Sequence, residues 1–279
     1  MKKVTVFGNF CIDSEERFLR LKDSFFSFYK ANIDSWRINV RGRYKHKVKN
    51  FLEENINKDI KIFFLETEAG WATDSKEIIK DINSILIFIW IEDHICIKSS
   101  NEFNNAINEM CSANVENLVY SWFHNGRYKV ILRYIPHEKL KHICTFDLNE
   151  KSLNIINKND LKSFYPITLV NIMSLNFFKK NLELTIEKKK YNKNLPFNFE
   201  RSFSEIENLN FKNGVLNNEL FVSIDDDHSC QNSSLISRGL YPNRQTRDKM
   251  LKLRKLKYKI FRDKNLLNKI KDRVLSLFK

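Results

Sequence analysis

Four short strand-like runs alternate with three amphipathic stretches over the first ninety or so residues of the chain. The runs are VTVF at 4–7, WRINV at 36–40, KIFFL at 61–65 and ILIFIWI at 85–91. Between the first two, Phe18, Leu21, Phe25 and Phe28 recur at helical steps, which predicts a helix over 14–29. Val48, Phe51 and Leu52 mark a second helix over 44–55, and Ile78, Ile79 and Ile82 the buried face of a third. Asp13 with Glu16, and Asp74 with Glu77, have capping-box spacing. The fourth run is apolar throughout, as in a strand covered on both faces of a parallel sheet. Alternation of this kind predicts a right-handed βαβ series and an α/β fold.

Open parallel sheets bind ligands beyond the carboxyl ends of their strands. The candidate positions are therefore the residues that follow each run. They are Gly8, Asn9 and Phe10, then Arg41, Gly42 and Arg43, then Glu66 through Trp71, then Glu92, Asp93 and His94.

Beyond residue 100 the pattern loosens. Phe103, Ile107 and Met110 predict a helix. Runs at 118–123 and 128–135 flank Asn125-Gly126, a hairpin dipeptide. Residues 142–146 and 152–156 read as a second strand pair, 174–182 and 202–209 as short helices, and 219–224 as a late strand. The expectation is one α/β domain over 1–240, with a mostly parallel, Rossmann-like sheet and antiparallel additions, followed by a separate segment at 241–279.

Charge divides the chain at nearly the same place. The net charge is +14, but residues 244–279 hold 14 Lys and Arg against 3 Asp. The preceding 243 residues carry 34 basic and 31 acidic groups, so the body is close to balanced. This argues against a basic nucleic-acid-binding surface throughout. Cys11, Cys96, Cys111, Cys144 and Cys230 are widely spaced with no CxxC pair, which fits reduced thiols rather than a disulfide framework or zinc ribbon. No apolar run approaches the ~20 residues of a membrane-spanning helix. Acids at 13, 15 and 16 interrupt the start too early for a signal peptide. The expected location is cytoplasmic.

Three segments carry candidate chemistry. Glu92-Asp93-His94 follows the most buried strand, where carboxylates either hold a hard divalent cation or simply end the strand. Glu200, in Leu195-Pro-Phe-Asn-Phe-Glu-Arg, is either a carboxyl in a partly apolar pocket, suited to accept a proton, or an acid favoured at a helix N-terminus. Asp225-Asp226-Asp227-His228 is either metal or phosphate chemistry after a strand or a solvated acidic turn. Arg41, Arg43 and Arg127 either fork a phosphate or are surface arginines, the plainer reading for Arg127, and Trp71 and Trp122 either stack on a base or sugar or, more commonly for Trp, pack in the core. No P-loop, GxGxxG, HExxH or GxSxG occurs, which disfavours four large enzyme classes.

The order KVTVFGNFCIDSEERFLRLKDSFFSFY, WRINVRGRY, IFFLETEAGW, ILIFIWIEDH resembles a bacterial GT-A-fold glycosyltransferase of the family 2 type, as used in capsule or lipopolysaccharide synthesis. The resemblance covers about residues 1–235. It implies a nucleotide-diphosphate sugar as donor and Mg²⁺ or Mn²⁺ bound by an Asp-x-Asp motif after the fourth strand. Here that motif is degenerate, with Glu92 and Asp93 as metal ligands and His228 as the late histidine completing the site. Glu200 corresponds to the catalytic base, with Asp226 a weaker alternative. Gly8, Asn9, Phe10, Arg41, Arg43, Glu66 and Trp71 would line the donor site. The acid that usually reads a uracil is replaced by Asn39 and Arg41 after one strand and by Glu66 or Glu68 after the other. The implied reaction is inverting transfer to a hydroxyl of a glycan or lipid-linked acceptor. A sugar nucleotidyltransferase is the alternative enzyme class, although Gly8-Asn9-Phe10-Cys11 is a poor Gly-rich loop.

Residues 244–279 contain no Gly or Pro, and Leu253, Leu256, Ile260, Leu267, Ile270, Val274 and Leu277 form a stripe ringed by Lys and Arg. A basic amphipathic helix of this kind suits an anionic membrane surface. Packing on protein is the plainer reading, and nucleic-acid binding through this segment a third. The expectation is a peripheral enzyme on the inner face of the plasma membrane.

Overall fold

The fold is that of a computed structural model, which describes residues 3–121, 128–159, 167–187, 196, 198–200, 210–225 and 234–242. The chain separates into two compact units, Met1–Leu240 and Tyr241–Lys279, and the elements below belong to the first.

The first four strands are β1 (Val4–Cys11), β2 (Ser35–Arg41), β3 (Asp59–Phe63) and β4 (Leu86–Ile89). They are joined by helices α1 (Glu15–Phe28), α2 (Lys45–Asn55) and α3 (Trp71–Ile78). They pair in parallel in the order β3-β2-β1-β4, as the alternation predicts. After them come β5 (His94–Cys96), α4 (Ser100–Ser112), β6 (Asn117–Val119), β7 (Glu138–Lys139) and β8 (Ile143–Leu148). The remaining elements are α5 (Glu150–Lys158), β9 (Asn171–Ser174), α6 (Leu175–Glu187), β10 (Phe211–Leu216) and β11 (Phe221–Ser223). Among the described residues the large sheet has nine strands, β3-β2-β1-β4-β9-β6-β10-β8-β7, in which β9 and β8 run against the others. A second small sheet pairs β11 with β5. The mostly parallel, Rossmann-like sheet with antiparallel additions is thus present.

The period-two rule explains why β4 is apolar at every position. Leu86 and Phe88 enter one core, with Phe25 and Phe28 of α1, Phe51 of α2 and Phe103 of α4. Ile87 and Ile89 enter the other, with Trp71 of α3, Ile156 of α5 and Phe178 of α6. Helices therefore cover both faces. Phe88 is the hub of the first core: its ring lies 5.1 Å from those of Phe28, Phe103 and Tyr120 and 5.6 Å from that of Phe221.

Several sequence expectations are corrected. Helix α1 is capped by Ser14, whose side chain accepts from Arg17 N, because Asp13 is engaged by Cys11 and by the Arg43 amide. Helix α3 begins after Gly70, so Asp74 lies inside it and accepts from the Thr67 hydroxyl instead of capping. Ile85 is outside β4 and exposed. Residues 128–131 are helical, not strand. Residues 152–156 lie in α5, where Asn149 and Ser152 form a reciprocal capping box that starts a helix on what reads as alternating polarity. Four strands were not foreseen, β5, β7, β9 and β10. The last contains Asn213-Gly214, a dipeptide with turn chemistry. There the glycine admits close packing, since a Cβ would meet Leu118 and Val115 side chains at 3.1 Å. The hairpin dipeptide at 125–126 and the helix at 202–209 lie outside the described residues.

Phe88→Ala should lower the unfolding free energy by about 3–5 kcal/mol, the usual cost of emptying a fully buried aromatic site. Urea denaturation followed by tryptophan fluorescence reads this directly.

Candidate active site

Because β1, β2 and β4 are parallel, Cys11, Arg41 and the residues after Ile89 arrive at one edge of the sheet. The turn from β4 into β5 presents Glu92 and Asp93 there. Ile224 N donates to Asp93 O at 2.6 Å, which brings Asp225 to the same turn. Glu200 reaches this edge by another route. Its Oε1 accepts from Leu169 N at 2.9 Å, and Leu169 stands just before β9, whose start lies at the β4 carboxyl end because the two strands are antiparallel.

Two arginines from α1 meet these acids. Arg17 forms a salt bridge with Glu92, its Nε 3.0 Å from Glu92 Oε1 and its Nη2 bound to the same oxygen. Arg20 pairs with Glu16 one turn earlier and, at 2.6 Å, with Asp225. The Glu92 side chain is only 7% exposed, whereas that of Arg17 is 46% exposed. The guanidinium therefore covers the carboxylate on its solvent side. Asp93 Oδ1 lies 2.7 Å from His94 Nδ1, and His94 Nε2 lies 3.0 Å from Ser121 Oγ. A neutral ring that donates from Nδ1 to the carboxylate and accepts at Nε2 from the hydroxyl satisfies both contacts.

The two adjacent acids are driven apart. Burial pushes the Glu92 carboxyl up; Arg17 opposes this and the Asp93 charge adds to it. Burial also works upward on Asp93. There the His94 ring and the two guanidiniums outweigh it and hold the group below the ordinary carboxylate range. The Tyr120 hydroxyl, buried and donating to Ile89 O at 2.7 Å, is held well above its usual range by burial first. It is no candidate for a general base.

The expected donor-site residues have mixed fates. Gly8 is enclosed, with the Phe10 ring where a Cβ would stand, and Phe10 packs on Trp90 at 5.3 Å. Asn9 accepts from Asn39 Nδ2 and donates to Ser75 Oγ, both at 3.0 Å. Asn39 also holds both backbone groups of Leu65, so these amides bolt the strand ends together and offer no uracil reader. Trp71 is 4% exposed, packed on Phe7 and Phe199, and its Nε1 donates to Asn9 O. It is a core residue and not a stacking platform. Arg43 and Glu66 are exposed and Arg41 is half-buried. Gly42 has φ +89°, and a Cβ there would meet Asp13 Oδ1 at 2.5 Å. Asp226 and His228 lie outside the described residues.

A divalent cation needs several oxygen or nitrogen ligands converging on one point. Among the described residues no three His, Cys, Asp or Glu side chains converge in this way. Glu92, the first expected ligand, is engaged by Arg17, and Asp93 by His94. The expected Mg²⁺ or Mn²⁺ thus has no assembled ligand set among the described residues, and His228, its third expected ligand, lies outside them. Sequence reasoning missed Arg17 and Arg20. The available signal was Arg20 itself, a charge beside the apolar stripe of α1 and one turn from Glu16.

No family model matches the chain, and no curated protein sequence matches it. Solved structures overlap it weakly. One is S. aureus TarS 1–349 in complex with UDP-GlcNAc, at 10% identity and a TM-score of 0.45, covering 82% of this chain and 60% of that one. Another is UDP-glucose pyrophosphorylase complexed with UDP-glucose, at 12% and 0.42, covering 77% and 90%. A third is HddC from Yersinia pseudotuberculosis, at 13% and 0.41, covering 80% and 94%. Another S. aureus TarS structure is overlapped over 36% of its length, so this chain spans less than two thirds of the TarS chains it matches. Overlaps at TM-scores under 0.5 assign neither family nor activity.

The edge also sets the reactivity of Cys11. Burial, then a hydrogen bond to Asp13 Oδ2 at 3.2 Å and the charge of that group, push its thiol up to about 11. At pH 8 alkylation of Cys11 by iodoacetamide should run roughly a hundredfold slower than that of an ordinary thiol, and Asp13→Asn should speed it. Peptide mapping by mass spectrometry separates Cys11 from the other cysteines.

Proposed function

We propose that the protein is a glycosyltransferase that takes a sugar from a nucleoside-diphosphate donor and passes it to a hydroxyl of a glycan or lipid-linked acceptor. The observation that supports this most is the position of Glu92, Asp93 and Glu200 along the carboxyl edge of a parallel sheet, where α/β folds bind ligands. Lipopolysaccharide or capsule synthesis follows from the sequence resemblance alone.

In this reading the donor lies across the ends of β1, β2 and β4, with Arg41 and Arg43 near its base or phosphates. Glu200 is the base. Its carboxylate takes the proton of the acceptor hydroxyl as that oxygen bonds to the anomeric carbon. The bond from that carbon to the diphosphate oxygen breaks on the opposite face, and the diphosphate leaves with the electron pair. Charge on the sugar passes through an oxocarbenium-like state, and because the acceptor oxygen enters in one displacement opposite the departing diphosphate, configuration inverts. Glu200 Oε1 accepts from the Leu169 amide, which orients the carboxylate.

A panel of UDP, GDP, CDP and dTDP should contain one member that raises the thermal midpoint, because a ligand bound only by the folded state stabilises it. Glu200→Gln should keep that shift and lose kcat by about a hundredfold or more, the usual contribution of a general base. A panel with no stabilising member, or a Glu200→Gln enzyme with full turnover, would remove this reading.

Residues 244–279 would hold the enzyme at an anionic membrane face. No helix among the described residues is long and apolar enough to cross a membrane. Vesicles containing phosphatidylglycerol should carry the full chain upward in a density gradient, neutral vesicles much less, and a chain ending at residue 243 not at all. Flotation that ignores vesicle charge or survives the truncation would count against it.

A further inference from the structure

We propose that Arg17 binds the donor diphosphate directly, in the place where a divalent cation is expected, and that donor binding does not depend on a metal ion. This rests on the nucleoside-diphosphate reading above. The geometry behind it is the Arg17–Glu92 pair. Glu92 is the expected first metal ligand, yet its carboxylate is buried beneath a guanidinium that already neutralises it. A cation taking up that Glu92 oxygen would have to displace Arg17 from it.

Arg17 is placed to do the cation's work. It projects from the first turn of α1, at the shared carboxyl edge of β1 and β4, neighbouring strands of the parallel set. Two of its five N–H donors are used on one oxygen of Glu92. Its Nη1 makes no hydrogen bond or ion pair among the described residues, and nearly half of its side chain is exposed. A guanidinium pinned on one edge and open on another is arranged for a phosphate oxygen, which it grips with directional, charge-assisted bonds. Arg20 cannot share this role. Its side chain is 5% exposed and its Nη atoms are bound to Glu16 and Asp225.

The competing possibilities are that Arg17 only neutralises Glu92, or that it yields to a metal. Three variants separate them. Glu92→Gln removes the charge that Arg17 covers. Arg17→Ala would leave a buried carboxylate alone and threaten the fold, so Arg17→Ala/Glu92→Gln is used for the loss of the guanidinium. Arg17→Lys keeps the charge and removes the fork. Calorimetric titration with the nucleoside diphosphate that gives the largest thermal shift is run in EDTA and in Mn²⁺, with its nucleoside as a control.

The wild-type Kd in EDTA should lie within about threefold of that in Mn²⁺, a difference of well under one decade. The double variant should bind the diphosphate at least about tenfold more weakly and the nucleoside unchanged, as expected for a lost charge-assisted contact to phosphate. Glu92→Gln should bind as well as the wild type or better, and Arg17→Lys should fall between. Loss of binding in EDTA with recovery in Mn²⁺ overturns the inference, as does weakened binding by Glu92→Gln, the mark of a lost metal ligand. A double variant that binds like the wild type shows that Arg17 is structural and overturns it too. If no nucleoside diphosphate binds the wild type under either condition, the glycosyltransferase reading itself falls and this inference with it.

Discussion

The docking of α1 against the segment 90–96 is the contact on which the rest of the site depends. Trp90 is buried among Phe10, Phe25, Phe28 and Trp36, with ring centroids 5.3 to 6.3 Å away. Its Nε1 donates to Ser24 Oγ at 2.9 Å, and that hydroxyl donates onward to His94 O at 2.6 Å. One turn further, Ser27 Oγ accepts from Cys96 N. Apolar burial supplies most of the free energy, and the hydroxyls fix the register of helix against turn. The turn that carries Glu92 and Asp93 therefore cannot shift relative to the helix that carries Arg17 and Arg20.

That rigidity makes the charged pairs tolerable. Burying Glu92 and Arg20 is costly unless partners are held within hydrogen-bond reach. A helix free to slide would cost side-chain entropy at each pair as well. With α1 fixed, its first two turns deliver Glu16, Arg17 and Arg20 as an ordered set, and acids from two distant parts of the chain close on it. The network is best viewed as a product of core packing. It adds little net stability by itself, since buried ion pairs often just offset their own desolvation.

The parallel half of the fold was legible because each of its signals is local. Run length, apolar continuity in 85–91 and helical spacing in 14–29 all lie within one element. The antiparallel half was not, because its signals conflict. Asn213-Gly214 has turn chemistry but sits in a buried strand where a Cβ would press on the Leu118 and Val115 side chains. Residues 152–156 alternate like a strand, but a capping box formed with Asn149 decides for helix. At the sheet edge, the position of Glu92 and Asp93 was legible from the apolar run before them, while Glu200 was singled out by its aromatic neighbours and the resemblance. Trp71 was misread because aromatic chemistry says nothing of burial, and here the side chain closes the core between Phe7 and Phe199. Arg17 was invisible as a partner of Glu92, since a pairing across 75 residues leaves no trace in local pattern.

That long-range pairing also bears on how tightly an anion can be held. An arginine free in solvent must lose rotamer freedom and part of its hydration before it grips a phosphate. Arg17 has already lost both on one edge, by virtue of Glu92, while its other edge faces solvent. Its orientation is set by a helix whose position Trp90 and Phe25 determine, so little reorganisation remains when a diphosphate arrives. Fixed donors of this kind stabilise developing negative charge better than mobile ones, because the cost of aligning them was met in folding. The aromatic core and the ion pair thus act in sequence. The first fixes the helix, and the second aims one guanidinium from it.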